Sequence, residues 1–139
     1  MEEKSAFRKA ALKSRAKIEN RQKKSEQIAK KLVATKCYQE AEAIFAYMSY
    51  RSEVDTKSVI LQALSDGKTV ALPRVIPQTS KMVFCKITSP SDCEAGSYGI
   101  LEPKADCPVT EPNSKSLILV PGCAFTRDGM RMGYGGGYY

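Results

Sequence analysis

The stretch AIFAYMSYRSEVDTKSVILQALSDGKTVAL, residues 43–72, decides the fold. Its first apolar run, at 43–48, predicts a buried strand. The apolar spacing over 57–65 predicts a helix, and the run at 69–72 predicts a second strand. A strand, a helix and a strand within about thirty residues form a βαβ unit, in which the two strands lie parallel.

Single residues predict where these elements begin and end. Thr56 is a candidate N-cap for the helix, because its side-chain oxygen can accept a hydrogen bond from a free backbone N–H. Gly67 is expected to end the helix, since glycine readily adopts the left-handed conformation of a C-terminal cap. Pro73 is expected to end the second strand, because proline has no backbone N–H.

Two basic amphipathic helices, or one helix broken near Asn20, are predicted ahead of this unit. They cover residues 4–18 and 21–36, and Asn20 can cap the second of them. The residues expected to face inward are Phe7, Ala10, Ala11 and Ile18 in the first helix and Ile28, Ala29, Leu32 and Val33 in the second.

The remaining chain predicts two further strands and a long connection. Residues 82–88 alternate well enough for a strand, and the apolar run at 117–120 predicts a fully buried last strand. Residues 89–116 are rich in proline and glycine and predict a loop, whose length hints at function. We therefore expect a single α/β domain over residues 1–139, three-layered and Rossmann-like, with a mainly parallel sheet flanked by helices and basic helices at its N-terminus.

Composition excludes several kinds of chemistry. The chain of 139 residues is 42% hydrophobic and 27% charged, with no apolar run long enough for a membrane helix and no secretory signal. Its five cysteines form no C-x-x-C pair and it has no histidine, which argues against zinc, a disulfide framework and histidine-activated nucleophiles. We expect reduced, mostly buried thiols in a cytoplasmic protein.

The net charge of +7 is placed unevenly. Residues 1–40 hold 12 Lys and Arg against 5 Asp and Glu, so the whole excess lies in the N-terminal helices. Two interpretations fit this pattern: a nucleic-acid surface, or a solvated helix face with a few phosphate-binding positions. Lysine-rich helix faces are common in proteins without such partners, which favours the second interpretation.

The final nine residues, RMGYGGGYY at 131–139, are the strongest functional signal. They follow the predicted strand at 117–120, and the backbone N–H groups of such a glycine-rich loop can converge on an anion. Arg131 adds a cationic fork for phosphate. The segment is neither a P-loop, since no lysine follows the glycines, nor a dinucleotide fingerprint, since Tyr138 stands where glycine is needed. The alternative is a frayed C-terminus.

Polar or glycine-rich segments follow three of the predicted strands. They are residues 49–53, 73–74 and 121–139. Ligands of open α/β sheets collect at the carboxyl ends of the strands, so we expect these segments to converge there.

The glycine-rich segment resembles the R-x-G-x-G-x-G-Y-Y-D signature of the 5-formyltetrahydrofolate cyclo-ligase family, also called 5,10-methenyltetrahydrofolate synthetases. Residues 120–125 with Asp128 and Gly129 resemble its V-P-G-x-x-F-D-x-x-G stretch, with Thr126 where aspartate is usual. The segments 4–8, 45–56, 72–74 and 99–103 are also similar, so the resemblance covers essentially the whole chain.

This resemblance implies an ATP-dependent ligase that closes a ring in 5-formyltetrahydrofolate. The formyl oxygen takes the γ-phosphoryl group of ATP bound with Mg²⁺, nitrogen 10 attacks the activated carbon, and phosphate leaves to give 5,10-methenyltetrahydrofolate. Such chemistry needs positioning and charge neutralisation rather than a histidine. The implied partner is a small-molecule substrate, with no nucleic acid and no membrane, and the implied state is a monomer.

The resemblance also implies roles for individual residues. Lys4 and Arg8, four residues apart and therefore on one helix face, would hold the ATP phosphates. Arg131 would act in catalysis and in ATP binding, and a carboxylate at Glu53 would suit the parallel N–H donors of the pterin ring. The other implied contacts are Met132, Gly133, Tyr134, Gly135, Gly136, Gly137, Tyr138 and Tyr139 for ATP, Met48 and Tyr98 for the folate, and Arg74 for either ligand or for a carboxylate.

One departure from the family pattern concerns the metal. The signature continues with an aspartate that binds Mg²⁺, and a second acidic ligand follows later; both would lie beyond Tyr139. Either the chain is truncated or a partner supplies the rest; we expect that the C-terminal part of the domain is missing and that no residue of this chain is a metal ligand. Reduced or absent turnover and self-association through an incomplete sheet are expected as consequences.

Overall fold

A computed structural model describes residues 2–79, 81–96 and 99–134 of the chain. Its N-terminal part contains the helices α1 (Glu2–Ala16), α2 (Arg21–Val33) and α3 (Lys36–Glu40). Two separate basic helices are thus confirmed, and a third short helix begins at Lys36, where the second was predicted to end. Within the described residues, no helix combines the length and the apolar character needed to cross a membrane.

The predicted cap of α2 is wrong. Asn20 adopts a left-handed backbone conformation, with φ 58°, and its side chain makes no capping hydrogen bond. The residue acts instead as the break between the two helices, because asparagine tolerates this conformation better than most residues. The short helix α3 does have a side-chain cap, since the Thr35 hydroxyl accepts a hydrogen bond of 3.2 Å from the backbone N–H of Tyr38.

Several residues predicted to face inward from α1 and α2 are exposed. Phe7 and Ile18 of the first helical segment are 56% and 48% exposed, and Ile28 is 48% exposed. The prediction is confirmed for Ala29, which is buried together with Ser25 one turn before it, and for Val33, which packs against the core. Helical periodicity thus identified the buried side of α2, whereas in α1 the partly buried side runs through Arg8, Leu12 and Arg15 and not through Phe7.

The main sheet has five strands in the order β6-β3-β2-β1-β7. Its centre is parallel, since β1 pairs in parallel with both β2 and β7, and β3 and β6 extend one edge in antiparallel pairs. The predicted α/β class, with helices flanking a sheet, is confirmed. The five strands are β1 (Ala43–Phe45), β2 (Thr69–Val75), β3 (Met82–Ile87), β6 (Val109–Thr110) and β7 (Ser116–Ile118).

The predicted βαβ unit is formed by β1, the helix α4 (Lys57–Ser65) and β2. Gly67 ends α4 as expected, with φ +76° and its N–H bonded to the carbonyl of Leu64. Thr56 is not the side-chain cap: its hydroxyl donates to the Tyr47 carbonyl at 2.6 Å. The carboxylate of Asp55 takes that role and accepts from the N–H of Lys57 at 2.9 Å.

Strand β2 runs through Pro73 rather than ending there. The N–H of Ala46 donates to the carbonyl of Ala71, so Ala71 turns its polar groups toward β1. Pro73, two residues after Ala71, has its backbone nitrogen on the same side, toward β1. The pairing between β1 and β2 ends at Ala71, so no residue of β1 lies opposite Pro73. The missing N–H of Pro73 therefore breaks no ladder bond, while Pro73 still lies opposite Phe84 of β3.

The core lies on the side of the sheet covered by α3 and α4. Tyr38 of α3 is 1% exposed, and its hydroxyl donates to Asp66 Oδ2 at 2.6 Å. Burial, with help from this bond, raises the pKa of Tyr38. On the opposite face of the sheet, the rings of Phe45 and Phe84 pack edge to face, 5.1 Å apart. The buried cluster consists of Tyr38, Ala41, Ile44, Ala46, Ile60, Ala63, Val70, Leu72 and Ile87.

The segment 89–116 is more structured than the predicted loop. It contains a 3₁₀ turn (Pro90–Asp92) and the antiparallel pair β4 (Cys93–Ala95) and β5 (Leu101–Pro103), and it ends with strands of the main sheet. Ser89 and Asp92 form a reciprocal capping box around the turn. Proline and glycine marked the turns between these short strands, which are too brief to show a periodic pattern.

The last predicted strand and the segment after it also differ from expectation. β7 is an edge strand, and Ile118 is 40% exposed, so it is not fully buried. The region predicted as a loop from 121 onward contains a hairpin of β8 (Ala124–Phe125) and β9 (Arg131–Met132). Gly129 takes φ +95° at its tip. All five cysteines are free thiols, but only Cys85 and Cys123 are buried.

Candidate functional site

A cavity of about 590 Å³ opens where the loop after β1 meets α1, the start of α2 and the segment after β9. It collects two of the three segments that were expected to converge at the strand ends. The third, residues 73–74, is not among the described residues that line it, and Arg74 donates to the carbonyl of Lys104 at 3.2 Å. The cavity is lined by Leu12, Lys13, Arg15, Ala16, Arg21, Tyr50, Arg51, Ser52, Glu53 and Tyr134.

Glu53 is the single carboxylate among these lining residues and is only 8% exposed. It ends a tight turn in which its N–H bonds to the carbonyl of Tyr50, with Arg51 in the left-handed region at φ 53°. The turn folds the side chain back, so that Oε1 accepts from the Tyr50 N–H at 2.7 Å. Oε2 accepts from the hydroxyl of Tyr134 at 2.8 Å. Both oxygens are thus satisfied inside the protein.

Arg15 connects α1 to the loop after β1, to Gly122 after β7 and to Tyr134 after β9. Its Nε donates to Ser52 Oγ at 2.8 Å, in the loop after β1. Its Nη1 donates to the carbonyl of Gly122 at 3.3 Å and to the hydroxyl of Tyr134 at 2.9 Å. A planar guanidinium suits this role because its donors point in several fixed directions.

A second arginine supports the turn that carries Glu53. Arg21, the first residue of α2, donates from Nε to the backbone carbonyl of Glu53 at 2.6 Å. The cavity therefore has four basic side chains around one carboxylate. Such a balance favours an anionic ligand that also presents hydrogen-bond donors to Glu53.

Sequence reasoning did not identify Arg15 or Arg21, although a signal for Arg15 was present. Lys4, Arg8 and Arg15 are spaced by four and then seven residues, so they share one face of α1. The face that was predicted to hold phosphate thus continues into the cavity. Nothing in the local sequence distinguishes Arg21 from the other basic residues of α2.

The predicted phosphate-binding residues Lys4, Arg8, Arg131 and Met132 are not among the described residues that line the cavity. Arg8 is partly buried and donates from Nε to the carbonyl of Gly133 at 2.8 Å, which ties α1 to the glycine-rich segment. Arg131 is exposed, and its Nη1 donates to the carbonyl of Pro121 at 2.8 Å. Met132 pairs with Ala124 in the hairpin, and Lys4 is exposed on α1.

Other predicted ligand residues fall outside this cavity or outside the described part of the chain. Met48 packs against the hydrophobic core and is not among the described residues that line the cavity. Tyr98 and the end of the glycine-rich segment lie outside the described residues; that end comprises Gly135, Gly136, Gly137, Tyr138 and Tyr139.

Burial is the main cause that raises the pKa of two tyrosines, Tyr134 in the cavity and Tyr47 just after β1. Burial raises the pKa of Tyr134 to about 12; the hydrogen bond from Arg15 lowers it, and the bond to Glu53 raises it. The residue as a whole is 44% exposed, so the burial acts on its hydroxyl end, between Arg15 and Glu53. Burial, followed by the charge of Glu53, raises the pKa of Tyr47 to about 12. Tyr134 is therefore a hydrogen-bond donor to Glu53 at neutral pH.

The fold and the cavity define an α/β protein with a basic cavity beside the loop that follows β1. The profile of the 5-formyltetrahydrofolate cyclo-ligase family matches residues 1–139. The chain belongs to this family.

Individual relatives agree with the family match. A probable 5-formyltetrahydrofolate cyclo-ligase of Caenorhabditis elegans is 31% identical over 127 residues, which cover 87% of this chain and 62% of the relative. The 5-formyltetrahydrofolate cyclo-ligase of Mus musculus is also 31% identical, with 87% and 63% covered. The chain thus spans less than two thirds of the length of these relatives.

Two solved structures share the fold. The 5,10-methenyltetrahydrofolate synthetase of Aquifex aeolicus superposes with a TM-score of 0.84 at 30% identity, covering 98% of this chain and 69% of that one. The synthetase of Mycoplasma pneumoniae superposes with a TM-score of 0.72 over 98% of this chain and 74% of its own, at 24% identity, and shows a common fold.

Proposed function

We propose that this chain binds ATP and 5-formyltetrahydrofolate and serves the ATP-dependent formation of 5,10-methenyltetrahydrofolate. The observation that carries the proposal is the buried carboxylate of Glu53 in a basic cavity that the glycine-rich segment helps to form. Membership of the cyclo-ligase family supports it, because the curated relatives are named for this reaction.

Glu53 is proposed to hold the pterin ring of the folate. A carboxylate can accept two parallel N–H donors at once, and the amino and ring N–H groups of the pterin form such a pair. The turn that ends at Glu53 presents its side chain to the cavity, where Tyr50 and Tyr134 supply aromatic surface. Met48 and Tyr98 remain proposed folate contacts, on the strength of the family resemblance alone.

Arg8, Arg131 and Lys4 are proposed to neutralise the ATP phosphates. Of the three guanidinium nitrogens of Arg8, only Nε makes a hydrogen bond to a described residue. Its two terminal nitrogens are therefore available to phosphate oxygens. Arg131 needs only to exchange the carbonyl of Pro121 for a phosphate oxygen, since it lies on the surface. The residues 132–139 would add backbone N–H donors. Phosphoryl transfer to the formyl oxygen demands this kind of charge neutralisation.

Residues 2–79, 81–96 and 99–134 contain no group of three or more side chains that could hold a metal ion. We therefore assign no step to a protein-held metal, and propose that Mg²⁺ arrives as the counter-ion of ATP. The five free thiols support a reducing compartment such as the cytoplasm.

Calorimetric titration of the chain with ATP and with 5-formyltetrahydrofolate tests the proposal, with the variants Arg8→Gln and Lys9→Gln as a matched pair. Both remove one positive charge from α1, but Lys9 is exposed and lies outside the site. Arg8→Gln should weaken ATP binding about tenfold to a hundredfold, as expected for one charge-assisted contact, and Lys9→Gln should leave it unchanged. Failure of the unaltered chain to bind either ligand would reject the proposal.

A turnover assay that follows the absorbance of the methenyl product completes this test. The reduced turnover expected from the sequence stays a prediction, and the same assay checks it.

A further inference from the structure

The carboxylate proposed to bind the pterin is already engaged by the protein itself. Glu53 Oε1 accepts from the backbone of Tyr50 at 2.7 Å, and Oε2 accepts from the Tyr134 hydroxyl at 2.8 Å. A pterin that donates two parallel hydrogen bonds needs both oxygens of the carboxylate. Each donor leaves one lone pair free on its oxygen, but the backbone N–H at Oε1 belongs to the turn itself, whereas the Tyr134 side chain at Oε2 lines the same cavity, where the pterin would lie.

Tyr134 is held in this position from two sides. Arg15 Nη1 donates to its hydroxyl at 2.9 Å, and the guanidinium carbon lies 5.8 Å from the centre of its ring. The preceding residue, Gly133, is anchored through its carbonyl to Arg8 at 2.8 Å. Arg15, Tyr134 and Glu53 thus form a continuous donor chain in which each bond strengthens the next.

The same side chain is nevertheless placed where it can leave. Tyr134 is 44% exposed, so it belongs to the rim of the cavity and not to the core. Its tether at Gly133 depends on Arg8, the residue proposed to turn toward ATP phosphates. A phosphate that recruits Arg8 would therefore loosen the backbone that positions the tyrosine.

We propose that Tyr134 is the gating residue of the folate subsite: its hydroxyl occupies Glu53 Oε2 in the free protein and must withdraw before the pterin binds. This inference rests on the proposed function of Glu53. It predicts that ATP raises the affinity for the folate by releasing the segment around Gly133, and that the folate raises the affinity for ATP by the same factor.

The variant Tyr134→Phe tests the gate by calorimetric titration with 5-formyltetrahydrofolate. The ring over Arg15 is kept, while the hydroxyl that competes for Glu53 is lost. Folate binding should become about tenfold tighter, and ATP should no longer raise it. Unchanged or weaker folate binding in Tyr134→Phe would overturn the gate, since the hydroxyl would then be neutral or would contact the ligand.

Two further variants separate failure of the gate from failure of the proposed function. Tyr38→Phe removes a comparable tyrosine–carboxylate bond, to Asp66 at the end of α4, between residues that are not among the described lining of the cavity, and should leave folate affinity unchanged. Glu53→Gln should weaken folate binding. If it does and Tyr134→Phe binds no tighter, only the gate is rejected. If the unaltered chain binds no folate, or Glu53→Gln binds it equally well, the pterin site and the gate are both rejected.

Discussion

The substitution Arg15→Ala removes the side chain that joins α1 to both loops of the cavity. The bond to Ser52 Oγ is short, at 2.8 Å, and partly buried. The bond to the Gly122 carbonyl is long, at 3.3 Å, and the bond to Tyr134 is exposed. Counting about 1 kcal/mol for the first bond and about 0.5 kcal/mol for each of the others, we expect the free energy of unfolding to fall by about 2 kcal/mol.

Urea denaturation followed by circular dichroism measures this loss. With a slope of about 2 kcal/mol per molar urea, the midpoint should fall by about 1 M. Lys13→Ala is the matched control, because Lys13 is an exposed residue of the same helix that also lines the cavity. Alanine improves helix propensity similarly at both positions, so that term cancels. We expect Lys13→Ala to stay within about 0.5 kcal/mol of the unaltered chain.

The loss of stability in Arg15→Ala should be concentrated in α1. Arg15 fastens α1 to the rest of the molecule, so the amide protons of α1 should exchange faster in Arg15→Ala while those of β2 change little. If Arg15→Ala and Lys13→Ala unfold at the same urea concentration, the Arg15 bonds contribute nothing measurable and the proposed structural role is refuted.

Two further substitutions test other parts of the structure. Tyr38→Phe deletes the donor that, with Gln62, lowers the pKa of Asp66. A carboxyl group whose pKa is lowered in the folded state stabilises the protein above its unfolded pKa, and this stabilisation is lost as the pH falls through the folded pKa. The difference in free energy of unfolding between Tyr38→Phe and the unaltered chain should therefore be full at about pH 7 and shrink below about pH 4. A difference that stays constant with pH in urea denaturation would contradict this. Gly122→Ala would place a methyl group 2.8 Å from Phe125 Cζ and 3.1 Å from the Met132 carbonyl, so the β8–β9 hairpin should loosen, seen as faster exchange of the Cys123 amide; unchanged exchange would show that the hairpin absorbs the methyl group.

Local sequence patterns predicted the centre of the fold well. The unit β1-α4-β2 follows from two apolar runs of strand length around a helical period, and Gly67 marks the end of α4 by its left-handed conformation. Predictions of the side-chain caps were less successful. Thr56 and Asn20 have the right chemistry for capping, but Thr56 is drawn to the carbonyl of Tyr47 and Asn20 takes a left-handed turn.

The short strands could not be predicted in the same way. β4, β5 and β8 have two or three residues each, and a period of two needs a longer run to be recognised. The exposure of β7 depends on its position at the edge of the sheet, which no property of its apolar sequence indicates. The missing N–H of Pro73 predicts the end of a strand, but the strand pairing decides whether a neighbouring strand needs that N–H.

For the site, the sequence alone determined the family resemblance, the basic face of α1 and the glycine-rich segment, because these are local and repeat known spacings. Tertiary structure alone decided that Arg15 hydrogen-bonds to both Ser52 and Tyr134. It also decided that the Tyr134 hydroxyl donates to Glu53, which is 81 residues away in the sequence. A hydrogen bond is made between groups that are near in space, so a contact over such a separation exists only once the strands have ordered the loops around them.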